Sequence, residues 1–346
     1  MWATKNIFRL QQQQYLKQAG LYNTLFFKFQ QFWANSCYTL QTIRVLTTWN
    51  VSRIQNTWLI MDVTTAVNKR SDTVFDTASN SPCGRRQCEM EAKMKHLNLS
   101  FAACGFLGIY HLGAATALCR HGKKLLKAVK AFAGASAGAL IATLLLTVPE
   151  SIEECIKVTH SFAEETRKQY LGALTPGYDF MTKLRGSIDS ILPPNAHEIA
   201  ENRLFISVTS AKNGKNHLLS NFASREDLVK ALLASSFIPL YGGFNAVDFN
   251  GEKLIDGGLT NGLPILPVGR TVTVSPFCGR LDICPQDRGR VGVYVKVPKQ
   301  DLKLSIANFI RLHQSLFPPS QKKMESLYQD GYDDAILFLL KENWFE

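Results

Sequence analysis

The 346-residue chain has no acidic residue before Asp62 and no glycine between Gly20 and Gly84. The first absence leaves residues 1–93 with eleven Lys and Arg against five Asp and Glu, a charge of +6, whereas residues 94–346 hold 28 against 23, a charge of +5. The smaller part therefore carries the larger share of the net charge of +11. The remainder is only mildly basic, which argues against a nucleic-acid groove and suits an anionic membrane surface. The second absence removes the commonest turn residue from a long stretch, which sets the first part of the chain apart from the remainder.

No two cysteines are separated by two residues, so the repeated spacing of a zinc site is missing. The eight cysteines are scattered, with Cys83 and Cys88 the closest pair. They read as free thiols in a reducing compartment, because a chain of this size does not depend on disulfides. A secretory signal is also missing, since Leu25, Phe26, Phe27 and Phe29 are broken up by Lys28, Gln30 and Gln31. Neither Met1-Trp2 nor the C-terminal stretch from Glu342 to Glu346 carries a lipidation signal. There is no internal repeat. The charge-free run from Ala131 to Val148 approaches the minimum length of a membrane span. Gly134 and Gly138 interrupt it, however, and Pro149 and Glu150 close it, so a buried strand followed by a buried helix is expected. These features point to an intracellular protein, and the basic leader leaves a mitochondrial location open.

What is present is enough apolar material, 46% of residues, to bury a sizeable core. The pattern becomes orderly from Met94, which sets a boundary between an N-terminal extension, 1–93, and a folded domain, 94–346. The extension has a Gln11 to Gln14 run and a Ser, Asn and Thr-rich stretch near Ser71 to Ser81. Two readings of it stand side by side: a mitochondrial transit peptide, or a flexible leader with Met94 as a second start.

In the domain, His96 to Ala102 alternates as a strand and a tight turn leads into a helical pattern from Ile109 to His121. Val129 to Ala133 then reads as a buried strand, followed by the apolar helix Ala139 to Thr147. Strand, turn and helix twice in succession imply a parallel sheet covered by helices. Helical patterns come next over 151–168 and 180–192, with a strand over 204–208 and its partner over 217–220. Ser224 caps another helix, and Asn250-Gly251 turns a hairpin between Val247 to Phe249 and Lys253 to Ile255. Later strands are expected over 271–275 and 291–297, and helices over 302–317 and 322–340.

Three segments carry the chemistry. Gly134-Ala135-Ser136-Ala137-Gly138 lies between a buried strand and a buried helix, where a nucleophilic serine needs a sharp strained turn and tiny neighbours. The competing reading is a small-residue packing turn. Cys104-Gly105-Phe106-Leu107-Gly108 also lies between strand and helix, so its amides cluster at a helix N-terminus, suited to stabilising an oxyanion. A dinucleotide loop is disfavoured there, since Ala103 stands where its first glycine belongs and Lys127 to Lys130 where its acidic residue belongs. Asp256 ends the hairpin before Gly257-Gly258, placed either as a base or as a turn aspartate.

Together with Ala234-Ser235-Ser236-Phe237-Ile238-Pro239, these motifs in this order resemble the patatin-like phospholipase domain family over nearly all of 94–346. The resemblance implies an α/β fold, a three-layer arrangement with a mostly parallel central sheet flanked by helices. It further implies a Ser-Asp dyad without histidine, metal or cofactor: Ser136 as nucleophile, Asp256 as proton acceptor, and the amides of Cys104, Gly105 and Phe106 as the oxyanion hole. Gly108, Gly134, Gly138, Gly257 and Gly258 complete the motifs. The implied activity is hydrolysis or transacylation of lipid esters, with triacylglycerol, phospholipid or retinyl esters as donors and retinol or acylglycerol as acceptors. Two departures stand out: Ala103 replaces a glycine of the family's oxyanion loop, and Leu107 occupies a position basic in many members. The side chains of Phe237, Ile238, Leu240 and Tyr241 suit an apolar acyl channel or ordinary core packing.

Two rival readings accompany this one. Ser136, Asp256 and His313 occur in the chain order of a Ser-Asp-His esterase, although His313 lies in a helical stretch. A lipid-binding scaffold that keeps the fold without turnover is the other, motivated by Ala103.

Overall fold

The computed structural model describes residues 96–287, 293–297 and 300–346. The N-terminal extension and the Cys83–Cys88 pair lie outside the described residues.

Strand β1, Leu97–Phe101, is buried at every position, as a strand must be when it is covered on both faces and paired on both edges. The buried Asn98 is accommodated because its Nδ2 donates to Val268 O at 2.7 Å. After a short 3-10 turn, Gly105–Leu107, the chain enters helix α1, Gly108–His121, and then α2, Lys123–Ala128. Strand β2, Val129–Ala135, runs parallel to β1 and passes directly through Ser136 into α3, Ala137–Thr147. The charge-free run thus divides into strand and helix. No helix among the described residues is long and apolar enough to cross a membrane.

Helices α4, Ile152–Arg167, and α5, Phe180–Ile191, are amphipathic, and α5 is capped by Asp179, which accepts from Thr182 N. The short α6, Ala196–Ala200, leads into β3, Leu204–Ser210, which pairs parallel to β2. Strand β4, Asn216–Leu219, and later β6, Glu252–Asp256, pair antiparallel to β3, while β5, Val247–Phe249, pairs antiparallel to β6. Helix α7, Arg225–Ser235, begins at Ser224, whose side chain accepts from Asp227 N. Strand β7, Arg270–Val274, completes the sheet parallel to β1. The order is β5-β6-β3-β2-β1-β7, with β4 also on β3: a parallel centre with an antiparallel margin, flanked by helices.

One sequence expectation shifts. The segment read as a helix from Leu302 begins instead as strand β9, Gln300–Lys303, paired with β8, Tyr294–Val297. Helix α8, Ile306–Leu316, starts only at the Ser305 cap, which accepts from Asn308 N. Helix α9, Gln321–Lys341, packs along α1, where the buried Tyr110 donates to Asp334 Oδ2 at 2.6 Å.

Candidate active site

The crossing from β2 to α3 turns sharply at Ser136, whose φ of 53° lies in a region that a residue with a Cβ occupies at a cost of about 1–3 kcal/mol. Such strain persists only where the surroundings hold it. A Cβ on Gly134 would come within 2.4 Å of Gly138 C, and one on Gly138 within 2.3 Å of Phe101 O, so the chain closes on itself through both glycines. The Ser136 amide donates to Ser235 Oγ at 2.9 Å, and that hydroxyl donates to Ser207 O at 2.6 Å.

The Ser136 hydroxyl lies near enough to the Asp256 carboxylate to favour its charged form. Asp256 sits at the end of β6 opposite Val208 of β3, so two strand pairings, β2 with β3 and β3 with β6, carry the two side chains to one place. It is 3% exposed. Its backbone is fixed on both sides, by its N–H to Phe237 O at 2.8 Å and by Thr209 Oγ1 to its carbonyl at 2.8 Å. Burial raises the Asp256 pKa to about 7, while the nearby Ser136 hydroxyl and the hydrogen bond from Gly258 N, at 2.6 Å, pull the other way. Desolvation wins, which leaves a carboxyl group that exchanges its proton near neutrality.

The Cys104 to Gly108 loop lies against this pair. The Cys104 thiol is pushed well above its usual range by burial and then by the charge of Asp256, which places the loop within electrostatic reach of the carboxylate. Gly105 adopts a φ of +51°, and a Cβ there would lie 2.1 Å from Ser315 O. The 3-10 turn starting at Gly105 leaves its first N–H groups without acceptors inside the turn, directly before the N-terminus of α1. The loop is tied down at its root, where Ala102 N donates to Val274 O at 2.9 Å and Ala103 N to Gly262 O at 2.7 Å. His111 Nε2 meets Ala102 O at 2.9 Å, and burial lowers that ring's pKa to about 4, so the neutral ring is the donor.

Ser136, Gly105 and Phe106 open onto a cavity of about 180 Å³ lined mainly by apolar side chains. Its walls come from α3 (Leu140, Ile141, Leu144), from α4 (Val158, Phe162) and from α5 (Phe180, Leu184, Ile188). Phe106, Phe162, Phe180 and Tyr241 form a row of ring contacts along it, at 5.8, 4.9 and 5.2 Å between successive centroids. Of the four residues read as channel or core, Ile238 and Tyr241 line the cavity, Phe237 is 2% exposed in the interior, and Leu240 is 38% exposed.

His313 stays apart. It stacks on Phe317 at 5.0 Å on the exposed side of α8, whereas Ser315, two residues on and so across the helix, lines the cavity. Sequence reading also passed over Ser207, whose carbonyl receives the Ser235 hydroxyl, and the helices α4 and α5 that roof the cavity. Ser235 itself stood in a motif without a role.

Residues 99–268 match the family described as patatin-like phospholipase. Human patatin-like phospholipase domain-containing protein 4 is 69% identical over 253 residues, covering 73% of this chain and 100% of that protein. The chain belongs to the patatin-like phospholipase family. Mouse 1-acylglycerol-3-phosphate O-acyltransferase Pnpla3 is 37% identical over 243 residues, 70% of this chain and 58% of that protein. Human omega-hydroxyceramide transacylase is 33% identical over 246 residues, 71% of this chain and 46% of that protein. The chain therefore spans about half the length of these two and the whole of the first. Within the family, the names of these relatives cover both a phospholipase domain and acyl transfer, so lipid acyl chemistry is the activity at family level.

Proposed function

We propose that this member is a serine acyl hydrolase and transacylase of lipid esters, with Ser136 as nucleophile and Asp256 as its base. The observation that carries the reading is the meeting of a strained, buried Ser136 with a buried Asp256 carboxyl that feels its hydroxyl and whose pKa stands at about 7. A serine hydroxyl needs an adjacent base, and a base is most effective when its pKa lies near the working pH.

In the first half-reaction Ser136 Oγ attacks the ester carbonyl while its proton passes to Asp256. The tetrahedral oxyanion is received by the amides of Cys104, Gly105 and Phe106. Collapse breaks the bond to the leaving alcohol, which takes the proton from Asp256 and departs, leaving an acyl-enzyme. In the second half water or an acceptor alcohol gives its proton to Asp256, attacks the acyl carbon, and Ser136 recovers the proton. The acyl chain lies in the apolar cavity beside Ser136. Triacylglycerol, phospholipid and retinyl esters are the proposed donors, and retinol or acylglycerol the acceptors. The exposed Leu240 and Phe244 lie in the same short segment as Tyr241 of the cavity lining, which supports peripheral contact with a membrane or lipid-droplet surface.

Labelling with a fluorophosphonate, combined with hydrolysis of triacylglycerol, phospholipid and retinyl esters, tests the reading. Labelling of the wild-type chain that disappears in a folded Ser136→Ala variant supports it. Equal labelling of the two, with no ester turned over, overturns it in favour of a non-catalytic lipid-binding protein.

A further inference from the structure

The hydrogen bond made by the amide of the strained Ser136 turn traces back to strand β3. Ser235, fully buried at the end of α7, has one hydroxyl proton, and that proton goes to Ser207 O at 2.6 Å. Its lone pairs are thereby free to accept the Ser136 amide, at 2.9 Å. The same Ser207 carbonyl faces the turn after the base: a Cβ on Gly257 would stand 2.0 Å from it. Ser207 is also the register partner of Ala135, the residue before the nucleophile, while Val208 is the partner of Asp256. Its hydroxyl is locked in turn, donating to Asn261 O at 2.9 Å and accepting from Asn216 Nδ2 at 2.8 Å. One backbone carbonyl on β3 therefore indexes both halves of the proposed dyad.

We infer that Ser235 is a positioning residue: by accepting from the Ser136 amide and donating to Ser207 O, it holds the nucleophile turn in register with the Asp256 turn. The inference rests on the proposed acyl-hydrolase reading. It assigns the Ser136 amide to Ser235 and so leaves oxyanion stabilisation to other donors, those of the Cys104 to Phe106 loop.

Thr and Val at position 235 both add a methyl group, and they differ in the hydroxyl alone. With p-nitrophenyl butyrate as substrate and the full chain, Ser235→Val lowers kcat by about 100-fold, the scale of a misplaced reacting group, while KM changes little. Ser235→Thr stays within a few fold of wild type. The apparent pKa of the kcat/KM profile moves upward in Ser235→Val only, because a displaced Ser136 hydroxyl no longer stabilises the Asp256 carboxylate. Equal kcat values and equal profiles for Thr and Val overturn the inference. Should the added methyl prevent folding of both, Ser235→Ala against wild type gives the same comparison. A wild-type chain no more active than Ser136→Ala would overturn the acyl-hydrolase reading instead. The clamp is then decided by hydrogen exchange at the Ser136 amide, faster in Val than in Thr if Ser235 holds it and equal if it does not.

Discussion

Ala103 and Gly258 are fitted face to face: a Cβ on Gly258 would come within 2.8 Å of Ala103 Cβ and equally within 2.8 Å of Asp256 Oδ1. The loop that begins at Ala103 and the turn after Asp256 therefore share a contact with no room for one more methyl group. The contact is reinforced by Ala103 N donating to Gly262 O at 2.7 Å. The Ala103 methyl is thus accommodated only because the residue facing it is a glycine.

Gly258→Ala is expected to lower kcat/KM by about 100-fold, since the new methyl must displace either the loop or the carboxylate. Adding Ala103→Gly removes one of the two clashes and recovers part of the loss. A double-mutant cycle on kcat/KM measures the coupling, and strictly additive effects would show that the two turns do not press on each other.

The proposed dyad and a histidine-dependent mechanism predict different outcomes. His313 is exposed and stacked on Phe317, so His313→Ala is expected to leave kcat within about twofold, whereas Ser136→Ala and Asp256→Ala each remove turnover to background. Steady-state hydrolysis of a soluble ester by the three purified variants makes the comparison. A collapse in His313→Ala would replace the dyad with a triad.

Much of this site is legible in sequence because its parts are local. Gly134 to Gly138 needs only a buried strand before it and an apolar helix after it, and both show as hydrophobic runs. Asp256 is marked by the Asn250-Gly251 hairpin that ends on it. The Ser136 to Ser235 bond joins residues 99 positions apart, and no periodicity announces it. Ser207 reads as one more residue of an apolar strand. The roof of the cavity is hidden for a related reason: the amphipathic patterns of α4 and α5 show that each buries a face, but not that the buried faces enclose an empty space. Leu302 failed differently, since a short strand and the first turn of a helix share its apolar spacing, and only the Ser305 cap separates them.

The cavity extends along α3. Leu144, eight residues beyond Ser136, is displaced by about 12 Å along the helix at the usual rise per residue, and it lines the cavity. Leu144→Trp is expected to fill that far portion. Hydrolysis of butyrate esters should stay within about threefold of wild type, while palmitate esters lose at least tenfold in kcat/KM, a change of about 1.4 kcal/mol. A chain-length series of p-nitrophenyl esters reads the effect, and uniform loss at all lengths would place the acyl chain elsewhere.

Acid and base should act on this fold through two buried groups of opposite sign. Asp256 in the folded chain keeps its proton up to pH about 7, whereas an unfolded carboxyl gives it up near pH 4. Its contribution to stability therefore falls as pH rises from about 4 to about 7 and is constant above, a total of about 4 kcal/mol against folding. His111 does the reverse, since the folded ring resists protonation down to pH about 4 while the unfolded ring accepts a proton near 6.5. Stability from that source is lost as pH falls through this window, by about 3 kcal/mol. In the wild-type chain the two largely offset each other. Asp256→Asn keeps an oxygen acceptor for Gly258 N but cannot ionise, so its Tm should exceed that of wild type by a margin that widens from pH 4 to 7 and then levels. The variant should also lose stability on acidification below pH 6.5 more steeply than wild type, because His111 is no longer opposed. Wild-type kcat/KM should rise through pH about 7 as the base ionises. Thermal unfolding of both chains at half-unit pH steps tests the pair, and a margin that does not change with pH would mean that Asp256 is not the carboxyl group titrating near neutrality.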